Sequence, residues 1–142
     1  MSKNIATKND LTFGMENEIT IKLILEKFFK FKLEKTLNQY HKMDFINKLL
    51  KIFIELKSRR FVYEKYSTTF INYHKIEYAN KLLEEDKDNI IYIVFKYTDG
   101  LYYIKYDEYL FSTFKKQNIY LQKRDCMLFN YLIPTNKLIQ VN

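Results

Sequence analysis

Four ionisable residues of this 142-residue chain, Glu18, Asp44, Glu55 and Lys57, stand where a charge is costly to bury. Glu18 lies on the apolar side of a helical pattern, Asp44 is embedded in Met43-Asp44-Phe45-Ile46, and Glu55 and Lys57 close the apolar run Ile52-Phe53-Ile54. Loss of hydration disfavours any of them unpaired in such surroundings. Three carboxylates and a lysine make sense together around a divalent cation. Hard oxygen ligands suit magnesium, which takes one or two carboxylates and completes its shell with water and substrate phosphate oxygens. Side chains two apart in a strand share a face, so Glu55 and Lys57 sit side by side. One can hold the metal while the other contacts the attacking water or the phosphate.

The elements that must position these groups follow from the hydropathy pattern. Ile21, Ile24, Leu25 and Phe28 recur at three- and four-residue spacing and predict a helix from Glu16 to about Phe31. Glu18 extends that stripe, whereas Glu16 lines up with Ile19, Thr20 and Leu23 on the flank. Thr36 to Ile46 reads as strand-like, Asn47-Lys48 as a hairpin turn, and Leu49–Lys57 as a strand. In that strand Phe53, Glu55 and Lys57 share one face and Ile52, Ile54 and Leu56 the other. The basic stretch Ser58-Arg59-Arg60 leads into a loop through Thr68-Thr69. Residues 70–86 predict a second helix with Ile71, Lys75, Ala79 and Leu82 along one side; its acidic end, Glu84-Glu85-Asp86, opposes the helix dipole and argues against extension beyond Asp86. Asn89–Tyr97 fits a buried strand, and Thr98-Asp99-Gly100 a hairpin turn before Leu101–Tyr106. A short helix near Glu108–Lys116, a strand near Ile119–Lys123 and a terminal strand after Pro134 complete the pattern. The order predicts an α/β or α+β sandwich with a central sheet.

Composition narrows the class. With 47% hydrophobic and 18% aromatic residues the chain is too apolar to be disordered, and its length suits one domain. Two glycines cannot build a glycine-rich phosphate loop of either familiar spacing. The single cysteine, Cys126, forms no internal disulfide and has no zinc-spaced partners, which fits a reducing compartment. The polar start, MSKNIATKND, lacks the apolar core of a signal peptide, and no run reaches membrane-spanning length. The expectation is a soluble intracellular protein of cytoplasm or nucleus, with no membrane partner. Of the net charge of +7, residues 1–65 carry +6 and residues 66–142 carry +1, a balance that favours an anionic partner such as nucleic acid. His41 and His74 read as surface or hydrogen-bonded residues rather than ligands. The 13 tyrosines read as sheet and core residues, some of them able to stack on unpaired bases.

The ordered set of helix Glu, hairpin Asp, E-x-K closing an apolar strand and Lys on the next helix resembles the PD-(D/E)xK nuclease superfamily. Asp44 matches the motif's aspartate, Glu55-Leu56-Lys57 its ExK, and Lys75 the Lys or Gln of the following helix. Glu18, four residues after Gly14, matches the G-x-x-x-E helix start of Holliday-junction-resolvase-like members, and Met43 replaces the motif's proline. The resemblance covers residues 13–106. It implies a restriction-endonuclease-like α/β sandwich with a central mixed sheet flanked by helices, a single domain over 1–142 with residues 1–12 as a flexible arm and 107–142 as its C-terminal extension. It also implies a magnesium-dependent nuclease, manganese able to substitute, acting on nucleic acid and foremost on DNA. Asp44, Glu55 and the Leu56 carbonyl would hold the metal and Glu18 would act through its water shell. Lys57 would position the attacking water, with Lys75 joining the catalytic set, while Ser58, Arg59 and Arg60 would clamp flanking phosphates. A homodimer would allow both strands to be cut. A non-catalytic nucleic-acid-binding or assembly module with the same fold is the alternative, and RNA cleavage is a third.

The phase of the first helix carries a test. Glu16 and Glu18 are about 200° apart around a helix axis, so only one of them can face the site. Glu18→Ala should slow metal-dependent DNA cleavage on the order of 10- to 1000-fold, and Glu16→Ala should change it little. An inactive Glu16 variant beside an active Glu18 variant would reverse the assignment.

Overall fold

A computed structural model describes residues 18–36, 43–122 and 126–142, so the expectations for residues 1–12, Gly14, Glu16 and His41 lie outside the described residues. The chain divides into two compact units, Met1–Leu33 and Glu34–Asn142. In the first unit, helix α1 spans residues 18–29. Ile21 and Leu25 are buried along one side, with Glu18 and Phe28 half-buried on the same stripe; Ile24 is 40% exposed and stands outside the expected face. Lys30, at φ 61°, ends the helix in the left-handed conformation common at helix C-termini, its N–H bonded to the Glu26 carbonyl at 2.9 Å. The Glu26 carboxylate accepts from the Leu33 N–H at 2.8 Å and pairs with Lys22 at 3.3 Å, which stitches the chain to the last helical turns.

The second unit is α/β with a mixed sheet. Its strands are β1 (Glu34–Lys35), β2 (Phe45–Asn47), β3 (Ile52–Ser58), β4 (Thr68–Asn72), β5 (Ile90–Tyr97), β6 (Gly100–Lys105), β7 (Lys115–Leu121), β8 (Cys126–Pro134) and β9 (Ile139–Gln140). Helix α2 is Tyr73–Glu85 and α3 is Glu108–Ser112. The central sheet runs β1-β2-β3-β5-β6-β9, and a second, three-stranded sheet runs β4-β8-β7. The one parallel pairing among the described strands is β3 with β5, in register Glu55↔Ile93, and it needs the β4–α2 crossover between them. Because these central strands are covered on both faces, Ile54 and Val94 are as deeply buried as Ile93 and Phe95. One face packs Ile91, Ile93, Phe95 and Ile104 against Ile76, Ala79 and Leu82 of α2, together with Ile71, Phe111 and Ile133.

Several boundaries differ from the sequence reading, each for a local reason. The strand expected from Leu49 begins at Ile52, because Leu49 and Leu50 lie exposed in a turn that Asn47 closes by accepting from the Leu50 N–H at 2.8 Å. The helix expected from residue 70 begins at Tyr73, since Thr68–Asn72 pairs in register with Asn130–Pro134 of β8. That pairing uses β-branched Thr and Ile in a half-buried pleat, and a helical reading of Ile71 cannot see it. The helix expected over Glu108–Lys116 stops at Ser112, with β7 taking Lys115 and Lys116, and β8 was not foreseen as a strand. The C-terminal end of α2 falls at Glu85, as the acidic run implied.

The start of α2 is capped by its own sequence. Asn72 is extended and its Oδ1 accepts from the His74 N–H at 2.8 Å, satisfying one of the helix's first free donors. Asn72→Ala should therefore cost about 1 kcal/mol, read as a fall of a few degrees in the circular-dichroism melt, and Asn72→Asp should retain most of the stability. An unchanged melt for the alanine variant would show that the cap contributes nothing.

Candidate active site

Strand β3 delivers Glu55 to the face covered by α2, and there it is 3% exposed. A carboxylate that deep needs cations, and two lysines supply them. Lys57, two residues along the same face, places Nζ 3.4 Å from Oε1; Lys75, on the first turns of α2, places Nζ 3.2 Å from Oε2. The Lys75 contact is an ion pair by distance, but its geometry is not that of a hydrogen bond to Oε2. Both lysine side chains keep about a third of their surface in solvent, at 33% and 27%. Burial is the largest influence on Glu55, and the Asp44 carboxylate adds to it, so its carboxyl is pushed above the ordinary value despite the opposing pull of Lys75 and Lys57.

Asp44 reaches the same place from the neighbouring strand. β2 begins at Phe45, opposite Ile54, and the N–H of Asp44 just before it donates to the Ile54 carbonyl at 2.9 Å. One step further along β3, where no β2 residue remains to pair, the Leu56 N–H donates instead to Asp44 Oδ2 at 2.7 Å. The side chain thus continues the ladder past the strand's end. The N–H and C=O of one strand residue point to the same side, so the Leu56 carbonyl faces this edge too.

The oxygens gathered here, Asp44 Oδ1, the Glu55 carboxylate and the Leu56 carbonyl, are hard donors. Two carboxylates with a carbonyl fit a divalent cation of the magnesium type, which takes few protein ligands and leaves positions for water and phosphate. The crowding of Asp44 and Glu55, felt in the raised Glu55 carboxyl, is the strain that such a cation relieves. Among the described residues no group of three or more His, Cys, Asp or Glu side chains is arranged to hold a metal.

The structure thus brings together Asp44, Glu55, Leu56, Lys57 and Lys75. Glu18 stands in α1 of the first unit. Of the basic stretch after β3, Ser58 and Arg60 are exposed, but Arg59 is engaged by the protein. Its Nε donates to Thr69 Oγ1 at 3.0 Å and its Nη2 to the Phe70 carbonyl at 2.6 Å. Those bonds tie the end of β3 to β4, so Arg59 is a strut here, whereas Arg60 is exposed. Beside the cluster opens a cavity of about 350 Å³, lined by Lys57, Phe70, Asn72, His74, Lys75 and Asn130. Sequence reading did not find Phe70 or Asn72 because it placed both in or beside a helix. The Asn-Tyr-His step, an N-cap residue followed by helix, was the available signal.

Metal-free stability should show the cost of the buried carboxylate. A raised carboxyl is stabilised by its proton below the unfolded value, here 4.5, and loses that stabilisation as pH climbs through the folded value. Glu55→Gln is neutral throughout, so in chelator at pH 7 it should melt at or above the wild type. The difference should close as pH falls below about 4.5. A variant less stable than wild type at pH 7 would mean that the two lysines outweigh burial.

No curated protein matches the chain. A family does: the one described as "Phage putative PDDEXK endonuclease" matches residues 7–118, a span that contains Asp44, Glu55-Leu56-Lys57 and Lys75. The mixed sheet with its helices is consistent with the restriction-endonuclease-like fold, and PDDEXK nucleases generally use divalent metals and act on nucleic acid. No helix among the described residues is long and apolar enough to cross a membrane. Because the match spans residues 7–118 of the 142, the chain belongs to this family of PDDEXK endonucleases.

Proposed function

We propose that the protein is a magnesium-dependent nuclease that hydrolyses phosphodiester bonds in DNA, manganese being able to substitute. The observation that supports this most is the convergence of Asp44 and Glu55 at the β2–β3 edge with Lys57 and Lys75 against the same buried carboxylate. Asp44, Glu55 and the Leu56 carbonyl would hold the cation. A divalent cation held there would supply positive charge against the phosphate oxygens.

The chain's own groups do the rest. Asp44 is oriented by the Leu56 N–H, a bond that uses Oδ2 and leaves Oδ1 as the oxygen to offer a cation. Lys57 donates hydrogen bonds that orient the attacking water, and its charge offsets the charge that develops on the phosphate. Lys75 holds Glu55 from the helix side, so the carboxylate keeps its direction when Lys57 turns to substrate. Ser58, exposed at the end of β3, and Arg60, exposed just beyond it, would take the flanking phosphates.

Asp44→Asn and Glu55→Gln should each abolish magnesium-dependent cleavage of plasmid DNA while far-UV circular dichroism stays that of the wild type. Full activity in either variant would remove the assignment, and DNA binding by a wild type that never cleaves would leave a binding module. Arg60→Ala should weaken binding to all DNA sequences alike and lower the log–log salt slope by about one. An unchanged slope would place Arg60 off the phosphate path.

A further inference from the structure

Phe70 is one of several large side chains that the second sheet exposes, with Tyr120, Met127 and Phe129, and it is the one that lines the cavity beside Lys57 and Lys75. It is a large aromatic residue in β4, 45% exposed, flanked in sequence by buried Thr69 and Ile71. Its position is nonetheless built. The Arg59 guanidinium lies over the Phe70 ring at 4.7 Å and over the Phe95 ring at 5.3 Å, while its Nη2 grips the Phe70 carbonyl. Phe95 is fully buried. The three groups form a ladder, from the core outward through a cation to an aromatic ring whose other side faces solvent. A hydrophobic residue that merely tolerated exposure would have no need of this support. A rigid platform for a flat partner would.

The surroundings say what kind of partner. Phe70 lines two cavities, one of about 350 Å³ that it shares with Lys57 and Lys75, and one of about 380 Å³ that it shares with Phe61, Tyr66 and Gln117. It therefore stands beside the candidate catalytic lysines at the start of a continuous path away from them. Strand register sets Phe70, Leu132 and Lys115 in one row across the sheet, and in the next row on the same face Asn72 and Gln117 on either side of buried Asn130. At the far end, Lys65 lies over both Phe61 and Tyr66, the latter 52% exposed. Rings alternating with amides and ammonium groups suit bases joined by phosphates. They suit unpaired bases in particular, because a base inside a duplex already has both faces stacked and cannot offer one to Phe70.

We propose that this face of the β4-β8-β7 sheet seats an unpaired DNA strand leaving the candidate active site, with one base stacked on the outer side of Phe70. The substrate class is then DNA with a single-stranded segment next to the cleaved bond, such as a flap or branch, rather than a uniform duplex. The proposal rests on the nuclease reading for its direction along the strand, but base stacking itself does not require cleavage.

The chain contains no tryptophan, so Phe70→Trp places a single reporter at the platform. In chelator, where metal-dependent cleavage is off, titration of this variant with an oligodeoxythymidylate should quench the tryptophan emission in step with binding followed by anisotropy of a labelled oligonucleotide. Phe70→Leu, which keeps an apolar side chain without the ring, should weaken single-strand binding roughly 5- to 150-fold, and Phe70→Tyr should restore most of it. A blunt duplex should show neither the quenching nor the selective loss. Binding without quenching, equal losses on duplex and single strand, or no single-strand binding by the wild type would each overturn the proposal. Quenching in a protein that never cleaves DNA would keep it and overturn only the nuclease reading.

Discussion

A carboxylate buried to 3% exposure at the end of an apolar strand is the constraint around which the second unit is arranged. Glu55 cannot be tolerated there alone, since removing its hydration costs far more than packing a strand residue returns. Lys57 answers from the same strand and Lys75 from α2, each keeping part of its ammonium's hydration. Burial, with the Asp44 charge added to it, outweighs the pairing, which is why the carboxyl stays above its ordinary value. A site meant only for stability would be better served by an apolar side chain of similar volume. A carboxylate whose burial outweighs its pairing is what a cation-holding site needs, because a fully satisfied carboxylate has little to gain from a metal.

Keeping that arrangement requires that β3, β2 and α2 hold fixed relations. Next to β2, Asp44 is joined to β3 through its backbone N–H to Ile54 and through its side chain to Leu56, so the ladder's last rung is also a candidate ligand. At the opposite end, Lys51 adopts a positive φ in the β2–β3 turn and pairs with Asp86 at 2.7 Å, just past α2. The Lys51 carbonyl accepts from the Ile90 N–H at 2.8 Å, so the turn, the end of the helix and the start of β5 meet at one point. The helix that carries Lys75 is thus located at both ends: by Asn72 and the β4–β8 pairing where it starts, and by this junction where it stops. Arg59 extends the bracing by linking the exit of β3 to β4, so one basic residue of Ser58-Arg59-Arg60 serves the scaffold while Arg60 meets solvent.

Much of the site was legible in the chain because strands and helices impose short periods. Alternation alone put Glu55 and Lys57 on one face, and the misfit of charged residues in apolar runs singled out Asp44 and Glu55. The strands β3, β5 and β6 and the turn at Thr98-Asp99 were read closely, since long apolar runs and tight turns carry strong local signals. The β4–β8 pairing was not legible. Its partners are about sixty residues apart, and the strand preference of Thr-Thr-Phe-Ile competes with the helical spacing that Ile71 shares with Lys75, Ala79 and Leu82.

What the sequence determined by itself was therefore chemical: which residues are charged, which of them share a face of an element, and which of them sit too deep in apolar surroundings to be idle. What only the tertiary structure decided was allegiance. Arg59 and Arg60 are adjacent and identical in type, yet one guanidinium is enclosed by Thr69, Phe70 and Phe95 and the other is exposed. Lys75 could have been any solvated helix lysine until the capped start of α2 brought it within 3.2 Å of Glu55. Such outcomes depend on contacts between distant segments, whose entropy of closure is met only when the whole core forms. No local pattern in the chain records them.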